Sequence, residues 1–291
     1  MILCTTIEEI RRILTPALLA SQSIGLVPTM GALHDGHASL IKTSSKENQI
    51  TVVSIFVNPT QFAPNEDLDN YPRTFEQDIK LASASGADII FHPTVKCLYP
   101  SDDPTWVEVT GNITKVLCGK SRPIHFRGVT TVVSKLLNIV KPTKAYFGQK
   151  DAQQLQIVKK MVRDLMFDVE IIAMPIIREK DGLALSSRNA YLLPAERKAA
   201  LILSKSLNVA LTAFNNGVTN PQQLANLVID CIQCEPSAKI DYVEIYQLPD
   251  LTSCQTDLTG RNLLAIGVYI GKTRLIDNII LEEKTNAANN A

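Results

Sequence analysis

Short apolar runs alternate with stretches of helical period along the first 175 residues, and this alternation is the strongest structural signal in the chain. Ile24-Gly25-Leu26-Val27 reads as a strand that runs into Pro28-Thr29-Met30-Gly31; a helix-like stretch begins near Asp35, and Ile50 to Val57 is a second apolar run. Thr74 and Gln77 are spaced as a capping box before a helix over Phe75 to Ser85, and Gly86 leads into the compact strand Asp88 to Phe91. Residues 93–125 show no regular period. Gly128 to Ile139 then predicts a helix, Ala145-Tyr146-Phe147 a buried strand, Asp151 to Leu165 an amphipathic helix and Val169 to Ala173 another strand. Nearly all-apolar strands alternating with helices predict an α/β fold with a doubly wound parallel sheet, covered on both faces.

After about Ile176 the pattern changes. A long helix is predicted from Pro194 to Asn216, ended by Gly217, and a second starts with Asn220 as cap and Pro221 as first helical residue. Three strand-like runs follow: Tyr242 to Gln247, Leu263 to Ile270 and Thr273 to Leu281. The turn Gly271-Lys272 between the last two implies an antiparallel hairpin. The expected division is 1–176, the parallel α/β domain, and 177–291, a smaller C-terminal α+β domain, with a frayed tail over Glu282 to Ala291.

Composition narrows the class. In 291 residues, 45% are apolar and 29 basic side chains balance 29 acidic ones, which argues against a disordered chain, a coiled coil or a globally cationic nucleic-acid binder. Six cysteines scattered from Cys4 to Cys254 do not form a secreted disulfide framework, and the start of the chain lacks a signal peptide, so a cytoplasmic protein is expected. The longest uncharged stretch, Ser206 to Ile229, carries too many Asn and Gln residues to span a bilayer. Charge is uneven locally: between Glu108 and Asp151 eight basic residues meet no acid. That segment could focus positive potential on a polyanion, or be a solvated surface balanced by acids elsewhere in the fold. A phosphate-rich small ligand suits the neutral total better than DNA does.

His34-Asp35-Gly36-His37 is the most informative tetrapeptide. At a helix start the two imidazoles sit three apart on one face, where backbone N–H groups and ring donors can converge on phosphate oxygens, and Gly36 would let a nucleotide approach the backbone. Alone, the pair also reads as ordinary capping or surface histidines. Phe147-Gly148-Gln149-Lys150-Asp151 sits between a strand and a helix, at the carboxyl edge of the predicted sheet, with Lys150 supplying charge and Asp151 either a ribose partner or a helix cap. Ser186-Ser187-Arg188 offers two hydroxyls and a forked cation, and the preceding Asp181-Gly182 permits a mobile loop. Gly267 to Thr273 is one residue short of a P-loop and is followed by a strand, while Cys231-x-x-Cys234 lacks the second pair that a zinc site needs.

Taken together, the chain resembles the pantoate:β-alanine ligase family. The matching segments are Leu26 to His37, Phe56-Val57-Asn58-Pro59-Thr60-Gln61-Phe62, Asn65 to Thr74, Phe147 to Asp151 and Asp181 to Asn189, with Leu275-Ile276-Asp277-Asn278 near the end. The resemblance implies a Rossmann-like domain of the nucleotidyltransferase superfamily, a C-terminal domain that acts as a lid, and a homodimer. It implies that ATP and pantoate form pantoyl adenylate and pyrophosphate, and that the amine of β-alanine then gives pantothenate and AMP. On it, His34, His37, Lys150, Ser186, Ser187 and Arg188 are the catalytic groups on the phosphates, and Gly148 and Asp151 hold the ribose. Met30, Ile177 and Leu185 border the nucleotide, Gln61 and Gln154 bind pantoate, and Arg122 and His125 match a stretch near the site. Magnesium (Mg2+) is expected on the phosphates; Gln77 stands where some members carry an acid beside Asp78, so no side chain is assigned to the metal. No nucleic acid or membrane is expected as partner.

Overall fold

The structure, a computed structural model, describes residues 1–64 and 66–282; Asn65 and the predicted frayed tail past Glu282 lie outside the described residues. The chain divides into two compact units. The first holds residues 1–115, 119–177 and 185–187, and the second holds 116–118, 178–184 and the chain from Arg188 on.

In the first unit the elements are β1 (Ile2–Cys4), α1 (Ile7–Leu19), β2 (Ile24–Thr29), α2 (Asp35–Glu47), β3 (Ile50–Ile55), α3 (Phe75–Ala84), β4 (Ile89–Phe91), α4 (Val95–Leu98), α5 (Cys118–Ser121, of which Cys118 belongs to the second unit), α6 (His125–Val140), β5 (Lys144–Gly148), α7 (Ala152–Asp164) and β6 (Glu170–Met174). The six strands form one parallel sheet in the order β1-β4-β3-β2-β5-β6. Consecutive residues in the middle of the inner strands face opposite ways and are buried. Leu26, Val52, Ile89 and Ala145 join the apolar layer beneath α1, α6 and α7. Val27, Val53, Ile90 and Tyr146 join the layer beneath α2 and α3. This double burial is why the strands read as continuous apolar runs rather than alternating ones. The phenol of Tyr146, fully buried, is satisfied by donating to Glu47 Oε2 (2.9 Å) and accepting from Asn48 Nδ2 (2.7 Å).

The strand order reverses between β2 and β5. Connections run outward from β2 through β3 to β4 on one side and from β5 to β6 on the other, so the carboxyl ends of β2 and β5 flank a topological switch point, where open α/β sheets bind ligands.

The second unit contains α8 (Pro194–Ala199), α9 (Leu201–Asn215), α10 (Pro221–Gln233), β7 (Ala238–Gln247), β8 (Thr252–Ser253), β9 (Arg261–Ile270) and β10 (Thr273–Glu282). Its sheet is antiparallel, in the order β10-β9-β7-β8. Leu264, Ile266, Val268 and Ile270 alternate along β9 and pack with Leu203, Leu207 and Phe214 of α9 and with Leu224, Val228 and Ile232 of α10. The excursion 116–118 is also buried: Leu117 is 2% exposed, and Cys118 Sγ lies 3.4 Å from the Tyr242 hydroxyl and 3.6 Å from both terminal nitrogens of Arg274, which pairs with Asp241.

The α/β class, the parallel sheet, the helix capped by Asn220 and the hairpin at Gly271-Lys272 are as the sequence leads one to expect. Four features differ. First, β1 and α1 precede the earliest element expected, although Thr6 and Glu9 form a reciprocal capping box, an arrangement worth about 1 kcal/mol. Second, Thr74 does not cap α3; with ψ at 46° it is outside the extended geometry of a cap, and its hydroxyl turns to the stronger acceptor, Asp78 Oδ1 (3.0 Å).

Third, the helix predicted over 194–216 is broken at Ala200, whose carbonyl accepts from Leu203 N (3.2 Å) in a tighter turn as its methyl packs into the core; with no Gly or Pro there, the sequence carries no mark of it. Fourth, Asp181-Gly182 is a pinned turn. Glu179 N donates to Leu183 O (2.8 Å), Arg197 binds both Glu179 and Asp181, and Arg178 reaches Gly182 O and the buried Asp277. Among the described residues no helix is long and apolar enough to cross a membrane.

Candidate active site

Strand β2 delivers the chain to Met30, and His34 then caps α2 with extended backbone (φ −137°, ψ 178°). The two histidines form a reciprocal cap. The Nδ1 atom of His34 accepts from Gly36 N (3.1 Å), the Nδ1 atom of His37 accepts from His34 N (3.3 Å), and the ring centroids are 4.1 Å apart. Gly36 is required for this packing, since a Cβ there would lie 2.8 Å from His34 Cε1. On the side where a Gly36 Cβ would stand, the neighbour is the His34 ring. Because each Nδ1 is an acceptor, each neutral ring carries its proton on Nε2. Burial, with Lys150 nearby, lowers the His34 pKa from 6.5 to about 4, and burial, with His34 and Lys150, lowers that of His37 to about 3. At neutral pH the pair is therefore two uncharged N–H donors.

β5 ends at Gly148, and a single turn, Gln149–Asp151, leads into α7. Asp151 is exposed and makes no cap bond to α7, which resolves its two sequence readings against the cap and leaves the carboxylate able to accept from hydroxyls. Both Lys150 and Asp151 act electrostatically on His34, so the β2 and β5 loops meet at the switch point.

A second set surrounds Gln61, which is 7% exposed in the turn Pro59–Gln61. Its Nε2 donates to Met30 Sδ (3.1 Å) and its Oε1 accepts from Asn58 Nδ2 (3.2 Å), which also donates to Gly128 O (3.1 Å). Gly128 is needed here as well: a Cβ would lie 2.5 Å from Thr60 O and 2.7 Å from Gln61 Cα. His125 Nδ1 donates to Gln61 O (3.0 Å) and its Nε2 accepts from Arg122, whose Nε pairs with Glu66 Oε1 (2.6 Å). His125 thus holds the opposite tautomer to His34 and His37, and burial beside Arg122 lowers its pKa to about 4. Gln154 is half-buried on the first turn of α7, and no hydrogen bond joins it to Gln61.

Leu185 N donates to Ile177 O (3.0 Å), and the Leu185 Cβ lies 3.8 Å from where a Gly36 Cβ would stand, which brings Ile177 and Leu185 to the histidine pair. Ser187 Oγ lies 3.3 Å from the Tyr71 hydroxyl, and Ser186 is half-buried beside it in sequence. Arg188, next in the chain, belongs to the second unit. Of the basic segment, Arg122 pairs with Glu66, Lys144 with Glu47, Arg127 lies over the Trp106 ring and Lys135 over Tyr99, so much of its charge is used inside the fold.

The sequence alone assigns no role to Asn58 or Asp78, yet they are the polar residues on which this geometry depends. Asn58 is 1% exposed and Asp78 2%. A polar side chain bracketed by apolar Val57 and Pro59 is the signal that could have found Asn58. Among the described residues no three His, Cys, Asp or Glu side chains could together hold a metal ion, and Cys231 and Cys234 are free thiols.

Three neutral histidines with lowered pKa values, His125 buried and His34 and His37 half-buried, have a consequence for stability. Below pH 6.5 the unfolded chain takes up protons that His34, His37 and His125 refuse in the fold, until their folded values of about 3 to 4 are reached. Their contribution is complete above pH 6.5 and is lost as pH falls through that window. Urea midpoints should therefore drop between pH 7 and pH 5, before most carboxylates titrate; a constant midpoint over that range would contradict the burial of the rings.

The profile of the Pantoate-beta-alanine ligase family matches residues 2–280. The chain is 56% identical over 277 residues to the pantothenate synthetase of Acetivibrio thermocellus, covering 95% of this chain and 98% of that one. It is 53% identical over 281 residues to that of Pelotomaculum thermopropionicum, covering 97% and 99%. Among solved structures, the pantothenate synthetase of Thermus thermophilus matches with a TM-score of 0.90 at 39% identity, over 97% of this chain and 100% of that one. The pantoate-beta-alanine ligase of Francisella tularensis, complexed with beta-gamma ATP and beta-alanine, matches with a TM-score of 0.79 at 38% identity, over 96% and 97%. Since the match runs through β2, the histidine cap, the Gln61 turn and on into β10, the chain belongs to the pantoate–β-alanine ligase family.

Proposed function

We propose that this enzyme condenses pantoate with β-alanine at the expense of ATP, through a pantoyl adenylate, and the observation that carries the reading is the pair of neutral Nε2–H donors beside Lys150 at the switch point. The chemical difficulty is that a carboxylate must attack the α-phosphorus of a nucleotide bearing about four negative charges. Preorganised donors aimed at the phosphates supply most of the rate enhancement in such a case. In the first step a pantoate oxygen bonds to that phosphorus and the bond to pyrophosphate breaks. His34 and His37 donate hydrogen bonds to the phosphates, and Lys150 with Ser186, Ser187 and Arg188 takes the charge that builds on the departing pyrophosphate. In the second step the β-alanine nitrogen bonds to the acyl carbon and AMP leaves.

Gln61 and Gln154 suit pantoate because neutral amides bind hydroxyls and a carboxylate without neutralising the nucleophile. Gly148 and Asp151 take the ribose, with Met30, Ile177 and Leu185 bordering the nucleotide. No covalent enzyme intermediate is needed; the adenylate has only to be kept from water, the role assigned to the C-terminal domain as lid.

Magnesium, which the family implies, does not fit a protein cage here. The carboxylates near the histidines, Asp35 and Asp151, belong to no cluster of three ligating side chains among the described residues, and both Asp78 oxygens are engaged, so a Mg2+ ion would ride on the phosphates and keep several waters. A cytoplasmic enzyme fits the six free thiols, and a homodimer is part of the same proposal.

Pantoate-dependent exchange of labelled pyrophosphate into ATP, with magnesium present and β-alanine omitted, isolates the adenylation step. Exchange is the expected result. Its absence from folded, ATP-binding protein would mean that pantoate is not activated as an adenylate.

A further inference from the structure

The chain between Met30 and His34 adopts a backbone that few side chains favour: Gly31 has φ +83° and Ala32 φ +50°. In that shape two successive N–H groups point the same way, and both end on one carboxylate. Ala32 N donates to Asp78 Oδ2 (3.0 Å) and Leu33 N to Asp78 Oδ1 (2.8 Å), while Thr74 Oγ1 donates to Oδ1 (3.0 Å). Asp78 is 2% exposed and no cation among the described residues pairs with it, so three uncharged donors replace its water. Successive backbone N–H groups curved around an anion form a nest, and here the anion is part of the protein. The fit is close, since a Cβ on Gly31 would lie 2.9 Å from Asp78 Oδ2.

We propose that Asp78 is the positioning residue that holds the Gly31–Leu33 turn and thereby fixes where His34 and His37 present their Nε2–H donors. Both of its oxygens are taken up by the turn and by Thr74, so it acts through the turn. Its effect passes through the Leu33-His34 peptide, because His34 N must remain aimed at His37 Nδ1 for the reciprocal cap to close. Without the carboxylate, Ala32 has little reason to remain at positive φ, and relaxation of that residue rotates the peptide that carries the cap. The proposal rests on the reading above that the histidine donors face the phosphates.

The test is Asp78→Asn, which keeps shape and volume but places an amide N–H₂ against at least one backbone donor. Two readouts separate the alternatives. In pyrophosphate exchange, kcat should fall about 10- to 100-fold, as expected when reacting groups are misplaced by a fraction of an ångström. KM for pantoate should stay within about twofold, because the Gln61 turn is held by other contacts.

In 15N NMR of the imidazoles, the His34 and His37 ring signals should move while those of His125 stay put. Adding Ala32→Gly, which removes the cost of positive φ, should restore part of kcat and return the ring signals toward wild type; a role confined to holding α3 would give no such rescue. Unmoved ring signals in Asp78→Asn overturn the proposal whatever the activity. If the wild-type enzyme shows no exchange but the rings move in the variant, the positioning role stands and the phosphate reading fails. Should Asp78→Asn not fold, Thr74→Val decides: it removes one donor to the carboxylate, and ring signals that remain unmoved overturn the proposal equally.

Discussion

Lys150→Ala should reduce pantoate-dependent pyrophosphate exchange by about 10²–10³-fold, the usual loss when one preorganised group facing developing charge is removed. The side chain is half-buried in a turn, so its loss should cost little stability, and the thermal midpoint should stay within a few degrees. The variant has a second signature. Since the Lys150 charge helps to hold both imidazoles below their ordinary value, its removal must raise the pKa of His34 and of His37. Histidine titration by NMR therefore shows that the cation acts at this site even in the absence of nucleotide. Near-normal exchange, or unmoved histidine titrations, would remove Lys150 from the phosphate site.

Two substitutions at His37 with opposite geometry should separate what its two nitrogens do. Asparagine places its amide oxygen near the position of Nδ1 and can still accept from His34 N, but it offers nothing at Nε2. Glutamine reaches the Nε2 position with an N–H and gives up the cap. If Nε2–H acts on phosphate, His37→Asn should keep its thermal midpoint and lose about 10²–10³-fold in exchange, whereas His37→Gln should lose more stability and less activity. The reverse order of activities would mean that the cap, not the donor, is what catalysis needs. Neither result depends on a charged imidazole at neutral pH, since burial, with His34 and Lys150, lowers the His37 pKa to about 3.

The elements that position the site are legible in the sequence wherever one physical rule dominates. Val52 and Val53, buried on opposite faces, could only be part of a sheet covered on both sides, and Asn220-Pro221 could hardly be anything but a helix start. The histidine motif is legible as a cluster at a helix N-terminus, but its hydrogen bonds are not. Which nitrogen accepts depends on backbone direction within two residues, and no spacing rule contains that. Asp78 is hidden for a different reason: its partners, Ala32 and Leu33, are more than forty residues earlier and contribute only main-chain N–H groups, which have no signature in the sequence. Asp181-Gly182 misleads because Gly suggests freedom, while the groups that pin the turn, Arg197 and Asp277, lie far along the chain. β1 and α1 are the converse case, since their capping box is in plain view and is easily passed over in so short a strand and so early a helix.

The two units are interleaved along the chain, with 116–118 belonging to one and 185–187 to the other, out of sequence order. No single cut separates them. A fragment ending at Ile177 would lack Leu185 to Ser187, and one starting at Arg178 would have a hole where Leu117 was buried; the loss of such a leucine side chain alone costs about 2–5 kcal/mol. Gene fusion and domain shuffling move contiguous cassettes, and neither half of this protein is one. The whole chain must therefore be inherited, expressed and folded as one indivisible cargo, and a chimera that exchanges its C-terminal part with a relative would have to carry both short excursions along with it.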